Sequence, residues 1–108
     1  MIIYIKMNYK KIYVVSSYYD YDCTKYDKFY YFMNLDDAKK KSFEIANNLL
    51  RNKIEKLENL IIKKNKKYYN EQLNFFNKMK INPTESGNYD LVNLNYEVVI
   101  TEDIIQTE

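Results

Sequence analysis

The fold of this chain is decided by residues 34–67, which read NLDDAKKKSFEIANNLLRNKIEKLENLIIKKNKK. From Leu35 to Lys64 there is neither glycine nor proline, the two residues that most often interrupt a helix. Asn34 is a good N-cap, and the two carboxylates in the following turn meet free backbone N–H groups and the positive end of the helix dipole. A long helix is therefore predicted to begin at Leu35.

One apolar stripe runs along this helix at spacings of four, four, three and four residues, and its members are Ala46, Leu50, Ile54, Leu57 and Ile61. The polar residues 63–67 interrupt it, and a second stripe follows with Tyr69, Leu73 and Phe76. A single helix over residues 35–80 would be about 69 Å long, too long for a compact monomer of this size. A helical hairpin that turns near Asn65 is favoured, whereas one long helix would require a dimer partner along its stripe.

Strands are predicted on both sides of the helical segment. Residues 11–18 are apolar on both faces, which is typical of a central strand. Residues 19–27 are polar enough for a hairpin loop, and residues 29–33 form the returning strand. After a loop at residues 82–88, apolar and polar side chains alternate over residues 94–100, which predicts a half-buried strand.

The predicted element order is ββααβ, and residues 1–108 are predicted to form a single α+β domain. The simplest packing is a three-stranded, largely antiparallel sheet with the helices on one face. The chain has no apolar run of the roughly 18–20 residues that span a bilayer, and its beginning is too short and interrupted for a signal peptide. We therefore expect a cytoplasmic protein with no membrane partner.

The composition is poor for catalysis. The chain has no histidine, so Cys23 has no base with which to form a Cys–His nucleophile, and a lone cysteine cannot build a thiolate zinc cluster. Gly87 is the only glycine, which excludes a glycine-rich phosphate cradle. Asp20, Asp22 and Asp27 offer oxygen ligands, but they lack the glycine turn and terminal glutamate of a calcium loop. No catalytic residue, metal or cofactor is predicted.

Tyrosine is the most informative residue for binding, because its ring combines a large apolar surface with a polar tip at low entropic cost. Nine of the thirteen tyrosines lie in the first 31 residues. The predicted partner-binding residues lie in the first hairpin and are Tyr18, Tyr19, Asp20, Tyr21, Asp22 and Tyr26. Local packing together with AT-rich codon usage is the alternative explanation for this enrichment.

A second candidate surface is the basic segment at the predicted turn between the helices, formed by Lys63, Lys64, Lys66, Lys67 and Tyr68. Its ammonium groups would contact phosphates, and its aromatic ring could stack on a base. The chain has sixteen lysines but a single arginine, the residue favoured for bidentate guanine recognition, and its net charge is only +2. Nucleic acid is therefore the alternative partner, and a structural homodimer along the helical stripe is a third hypothesis.

In order along the chain come the strand KIYVV (residues 11–15), a turn rich in tyrosine and aspartate, a second strand, and a helix opened by NLDDA (34–38). This arrangement resembles small ββαβ proteins of bacteriophages and mobile elements. Such proteins commonly close with an acidic strand, as EVVITE (97–102) would here. The resemblance covers residues 10–50 and 93–105, and the long helical insert departs from it. Some of these phage proteins block host defence, including CRISPR effectors. The resemblance implies a non-catalytic inhibitor that occludes a host protein in the host cytosol.

Overall fold

The computed structural model describes residues 8–19 and 26–107. The elements in these residues are β1 (Asn8–Tyr19), β2 (Tyr26–Phe32), α1 (Leu35–Lys63), α2 (Lys67–Lys78), β3 (Tyr89–Leu91), a 3-10 turn (Val92–Leu94) and β4 (Tyr96–Thr107). The predicted α+β class, with an antiparallel sheet and two helices, is confirmed. The predicted three strands and the order ββααβ are wrong, because the described sheet has four strands, with the spatial order β2-β1-β4-β3.

The additional strand is β3, which has only three residues and is therefore too short to show a period-two pattern in the sequence. It pairs antiparallel with the start of β4, from Tyr89 opposite Val98 to Leu91 opposite Tyr96. The 3-10 turn and Asn95, which has a left-handed φ of 57°, reverse the chain between the two strands. Asparagine tolerates this conformation better than most residues. The Asn-Gly pair that usually indicates a tight hairpin turn is absent here, so the sequence carries no signal for it.

The prediction of a central strand is confirmed for β1, which pairs antiparallel with β2 on one side and along its whole length with β4 on the other. Its face toward the helices carries Val15, which is fully buried together with Val98 of β4. The core between helices and sheet consists of Val15, Ala38, Ala46, Leu50, Leu57, Phe76, Ile81, Tyr89, Leu91, Leu94 and Val98. On the opposite face, the β2 side chains of Phe29 and Tyr31 are exposed.

The two helices form a hairpin. At the start of α1, Asn34 Oδ1 accepts hydrogen bonds from the N–H groups of Asp36 and Asp37 at 2.7 and 3.4 Å. The break between the helices spans residues 64–66, where adjacent lysines repel one another. α2 then runs back along α1, since the Lys53 ammonium of α1 lies 5.7 Å from the ring centroid of Phe76 in α2. The apolar stripe of α1 is covered within the chain, leaving little of it for a dimer partner.

The molecule is elongated although the helices form a hairpin. Its principal extents are 78 × 25 × 18 Å, and its Cα radius of gyration is 19.3 Å. A globular chain of this length would have a radius of about 13 Å. The ladder between β1 and β4 begins where Asn8 pairs with Thr107. β2 joins this ladder only from Tyr13 and β3 only from Val98, so the end of the sheet near Asn8 is two strands wide in the described residues. The hairpin predicted from the sequence rests on the assumption of a compact monomer. The hairpin is present, but the assumption of a compact shape is wrong.

The outer edge of β4 has no strand partner beyond Val98 within the described residues. Two of its outward backbone N–H groups are nevertheless occupied by side chains. The Ile100 N–H donates to Asn88 Oδ1 at 2.7 Å, and the Ile104 N–H donates to Asp103 Oδ1 at 2.8 Å. Charged and polar side chains that engage an edge in this way oppose pairing with another chain.

Candidate functional site

A groove runs along α1 between this helix and one end of the sheet. It consists of two adjacent cavities of about 530 and 200 Å³, whose walls share Leu49 and Asn52. The larger cavity falls within the range of roughly 300–1,000 Å³ that is usual for ligand sites. Its far wall is the segment from Asn93 to Tyr96, and the smaller cavity reaches the start of β2. We call the two cavities together the α1 groove.

Asparagine is the most frequent polar residue in the lining of the α1 groove, which contains Asn48, Asn52, Asn59, Asn93 and Asn95. Within the described part of the chain, none of these side-chain amides makes a hydrogen bond. Outside the groove, the side chains of Asn34, Asn47, Asn65, Asn70 and Asn88 are used inside the fold, whereas the exposed Asn74, Asn77 and Asn82 make no side-chain hydrogen bond within the described residues. Because each amide offers two N–H donors and a carbonyl acceptor, the groove presents a set of unused hydrogen-bonding groups.

The helix arranges three of these amides in a row. Asn48, Asn52 and Asn59 are separated by four and seven residues, and such spacings bring side chains to one face of an α-helix. At a rise of about 1.5 Å per residue the row is about 16 Å long. This signal was present in the sequence, but polar residues at helical spacing are also typical of an ordinary solvated face.

Two tyrosines form the aromatic part of the larger cavity. Tyr19, the last residue of β1, stands opposite Tyr96, the first residue of β4. Their ring centroids are 5.0 Å apart and the rings are tilted by 46°. Tyr96 reaches this position because the turn at Asn95 brings the chain back beside β1. The predicted partner-binding residue Tyr19 therefore lies in the wall of the α1 groove.

Of the other predicted partner-binding residues, Tyr18 is described with its side chain, and it does not share a surface with Tyr19. Tyr18 points to the opposite face of the sheet, where its hydroxyl donates a hydrogen bond to the Glu97 carboxylate. Successive strand residues alternate between faces, so this separation follows from their adjacency. The backbone of Tyr26 pairs with that of Tyr18. The predicted residues Asp20, Tyr21 and Asp22 lie outside the described residues, as does Cys23.

The α1 groove is positively charged overall. Its walls contain the four lysines Lys28, Lys41, Lys53 and Lys56, and one carboxylate, Glu55. The Lys41 ammonium lies 3.5 Å from Glu44 Oε1 and 4.4 Å from the ring centroid of Tyr30, which holds it above the smaller cavity. This cluster is not visible in the linear sequence, because its lysines come from β2 and from separate turns of α1.

The basic residues proposed for nucleic acid are gathered at the turn of the helical hairpin. Lys63, Lys64, Lys66, Lys67 and Tyr68 are all exposed there. Lys67 Nζ lies 3.8 Å from Glu71 Oε1, and the Tyr68 hydroxyl accepts a hydrogen bond from Gln72 Nε2 at 2.8 Å. In the described residues, no salt bridge involves Lys63, Lys64 or Lys66. None of these five residues lines the α1 groove, but Lys63 follows the groove residue Asn59 by one turn of α1, and Tyr68 lines a further cavity that also contains Asn93.

No family model, curated protein or solved structure matches this chain. The resemblance to small phage proteins therefore stays a prediction. Neither helix in the described residues has an apolar stretch long enough to cross a bilayer. Residues 8–19 and 26–107 contain no group of three or more histidine, cysteine, aspartate or glutamate side chains that could hold a metal ion. Asp20 and Asp22 of the first hairpin lie outside those ranges.

Proposed function

We propose that this chain is a non-catalytic binding protein that holds a segment of another protein in the α1 groove. The observation that carries the proposal is the Tyr19–Tyr96 ring pair at 5.0 Å, set in a groove whose asparagine amides have no partner inside the described fold. Tyrosine and asparagine are enriched at recognition surfaces, where one supplies rigid contact area and the other adaptable hydrogen bonds. Occlusion of a host protein, as the phage resemblance implies, is the finer form of this proposal.

The shape of the α1 groove supports a chain segment as its occupant. Its walls extend along α1 from Lys41 to Asn59, a distance of about 27 Å at 1.5 Å per residue. That length suits several residues of a polypeptide better than one small metabolite. The absence of histidine from the chain also removes the most common general acid–base residue, which favours binding over catalysis.

Selection from a displayed peptide library tests the proposal even though the partner is unidentified. The full chain and its Tyr19→Ala variant serve as baits, with Tyr31→Ala as the matched control because Tyr31 lies on the opposite sheet face and is 67% exposed. We expect the wild type and Tyr31→Ala to enrich the same peptides, and Tyr19→Ala to lose them. Equal enrichment by all three baits, or no enrichment by the wild type, would contradict binding in the α1 groove.

Nucleic-acid binding is the second candidate function, favoured by the four exposed lysines that the hairpin turn brings together at residues 63–67. Ammonium groups on such a turn attract phosphates without reading base sequence. We propose this activity as weak and sequence-independent, and its test is the salt dependence of binding to a labelled single strand.

A further inference from the structure

We infer that the α1 groove binds an acidic peptide segment in an extended conformation, with the peptide main chain held by the row of asparagine amides on α1. The inference rests on the proposed function and specifies the occupant of the same groove. It is carried by three observations: the spacing of the amides, the charge of the walls, and the aromatic pair at one end.

The spacing of Asn48 and Asn52 on α1 matches the repeat of an extended main chain. These two residues are four positions apart, or about 6 Å along the helix axis, and the third amide of the row, Asn59, follows seven positions later, at about 10.5 Å. An extended peptide advances by about 3.3 Å per residue, so groups on one of its edges repeat about every 6.6 Å. Each asparagine amide can donate to a peptide carbonyl and accept from a peptide N–H, as a neighbouring strand does.

The charge of the walls selects an acidic occupant. Lys28, Lys41, Lys53 and Lys56 surround the α1 groove, and Glu55 is the one carboxylate in the same two walls. Lys41 is paired with Glu44, so Lys28, Lys53 and Lys56 supply most of the attraction for an acidic occupant. Complementary charges increase the association rate and fix the register of a bound segment. Lysine is suited to this role as a flexible point charge, because it does not demand the planar geometry of a bidentate pair.

The aromatic pair sets the direction in which the peptide lies in the groove, because this pair lies at one end of it. Tyr19 and Tyr96 lie beside Leu94 in the larger cavity, where an apolar side chain of the peptide can pack against them. A nucleic-acid strand fits these walls less well, because every unit of the strand carries a charge whereas the walls contain more amides than cations.

The probe is a capped heptapeptide of alternating glutamate and valine with one terminal phenylalanine, titrated by calorimetry against the full chain. Its first comparison peptide has N-methyl groups on alternate backbone nitrogens, and its second has lysine in place of every glutamate. We expect each comparison peptide to bind at least tenfold more weakly than the parent. The paired variant Asn52→Ala/Asn59→Ala should weaken parent binding by a similar factor, whereas Asn74→Ala/Asn77→Ala on the exposed side of α2 should not change it.

The outcomes separate this inference from the proposed function. If the N-methylated or the lysine peptide binds as tightly as the parent, main-chain holding or acid selection is wrong, while library peptides that depend on Tyr19 still support a protein-binding groove. If neither the heptapeptide nor any library peptide binds, both proposals fail. If an eight-residue oligothymidylate binds in an Asn52/Asn59-dependent manner and the heptapeptide does not, the groove belongs to nucleic acid and the inference is overturned.

Discussion

Tyr19 and Tyr96 are joined across the β1–β4 ladder with their rings 5.0 Å apart, although they lie near opposite ends of the chain. The contact links the end of the central strand to the turn that follows β3. β1 ends and β4 begins at this point, so the two rings lie in the wall of the α1 groove at the end of the sheet. A contact of this kind contributes about 0.5–1.5 kcal/mol beyond the area that it buries.

Gly87 should not tolerate a side chain. Its φ is 80°, and a Cβ at this position would lie 2.5 Å from Ile100 Cδ1 and 2.9 Å from Lys39 Cγ. We expect Gly87→Ala to lower the free energy of unfolding by about 1–3 kcal/mol, because both the backbone conformation and the packing oppose the methyl group. Urea unfolding measures the change, with Asn82→Ala in the exposed part of the same loop as the control. An unchanged midpoint for Gly87→Ala would show that α1 and β4 are not so closely apposed.

The outer edge of β4 should pair with other chains when the side chains that bond to its backbone N–H groups are removed. The paired variant Asn88→Ala/Asp103→Ala leaves the outward N–H groups of Ile100 and Ile104 without their present acceptors. Exposed strand edges of this kind pair with other chains. We expect concentration-dependent association of the variant in sedimentation velocity, at protein concentrations where the wild type does not associate. The control is Asn74→Ala/Asn77→Ala, and a variant that sediments like the wild type would contradict the capping role.

The elongated shape should be visible in solution. Small-angle scattering of the wild type is expected to give a radius of gyration near the 19.3 Å of the structure, with the mass of one 13.2 kDa chain. The helical hairpin covers the α1 stripe, so no second chain is needed to bury it. A radius near the value of about 13 Å for a globular chain, or a doubled mass, would contradict this arrangement.

Nucleic-acid binding at the hairpin turn should depend steeply on salt. If the four lysines at residues 63–67 each contact a phosphate of a single strand, the affinity should fall about 50-fold between roughly 50 and 200 mM salt. Lys64→Gln/Lys66→Gln should reduce the slope of the log–log plot by about 1.4, whereas Lys78→Gln/Lys80→Gln, which removes the same charge elsewhere, should not. Fluorescence anisotropy with a labelled oligonucleotide measures both. Tight, sequence-selective binding at the higher salt would promote nucleic acid to the principal function.

The sequence predicts the parts of this fold that depend on local signals. The Asn34 cap, the apolar stripe of α1 and the lysine-rich break near Asn65 are each encoded within a few turns of helix. β3 could not be predicted in the same way, because three residues carry no period and become a strand only by pairing with β4. The separation of Tyr18 from Tyr19 was available in principle from strand alternation.

The α1 groove was harder to predict from the sequence than the helix along which it runs. Its tyrosines are adjacent only because β1 and β4 pair in one particular register, and that register is a property of the whole sheet. Its asparagines resemble part of a solvated helix face until the 3-10 turn at residues 92–94 is placed opposite them. Long-range pairing therefore creates the candidate site from residues that are ordinary in the linear sequence.

Nuclear magnetic resonance of the asparagine side chains tests the central claim most directly. In a titration of the labelled full chain with the glutamate–valine heptapeptide, the side-chain amide signals of Asn48, Asn52 and Asn59 should shift progressively, while those of Asn74 and Asn77 stay in place. The backbone signals of Tyr19 and Tyr96 should shift with the first group. Shifts confined to residues 63–68, or a peptide that leaves all the groove amides unchanged, would contradict the assignment of the α1 groove as the binding site.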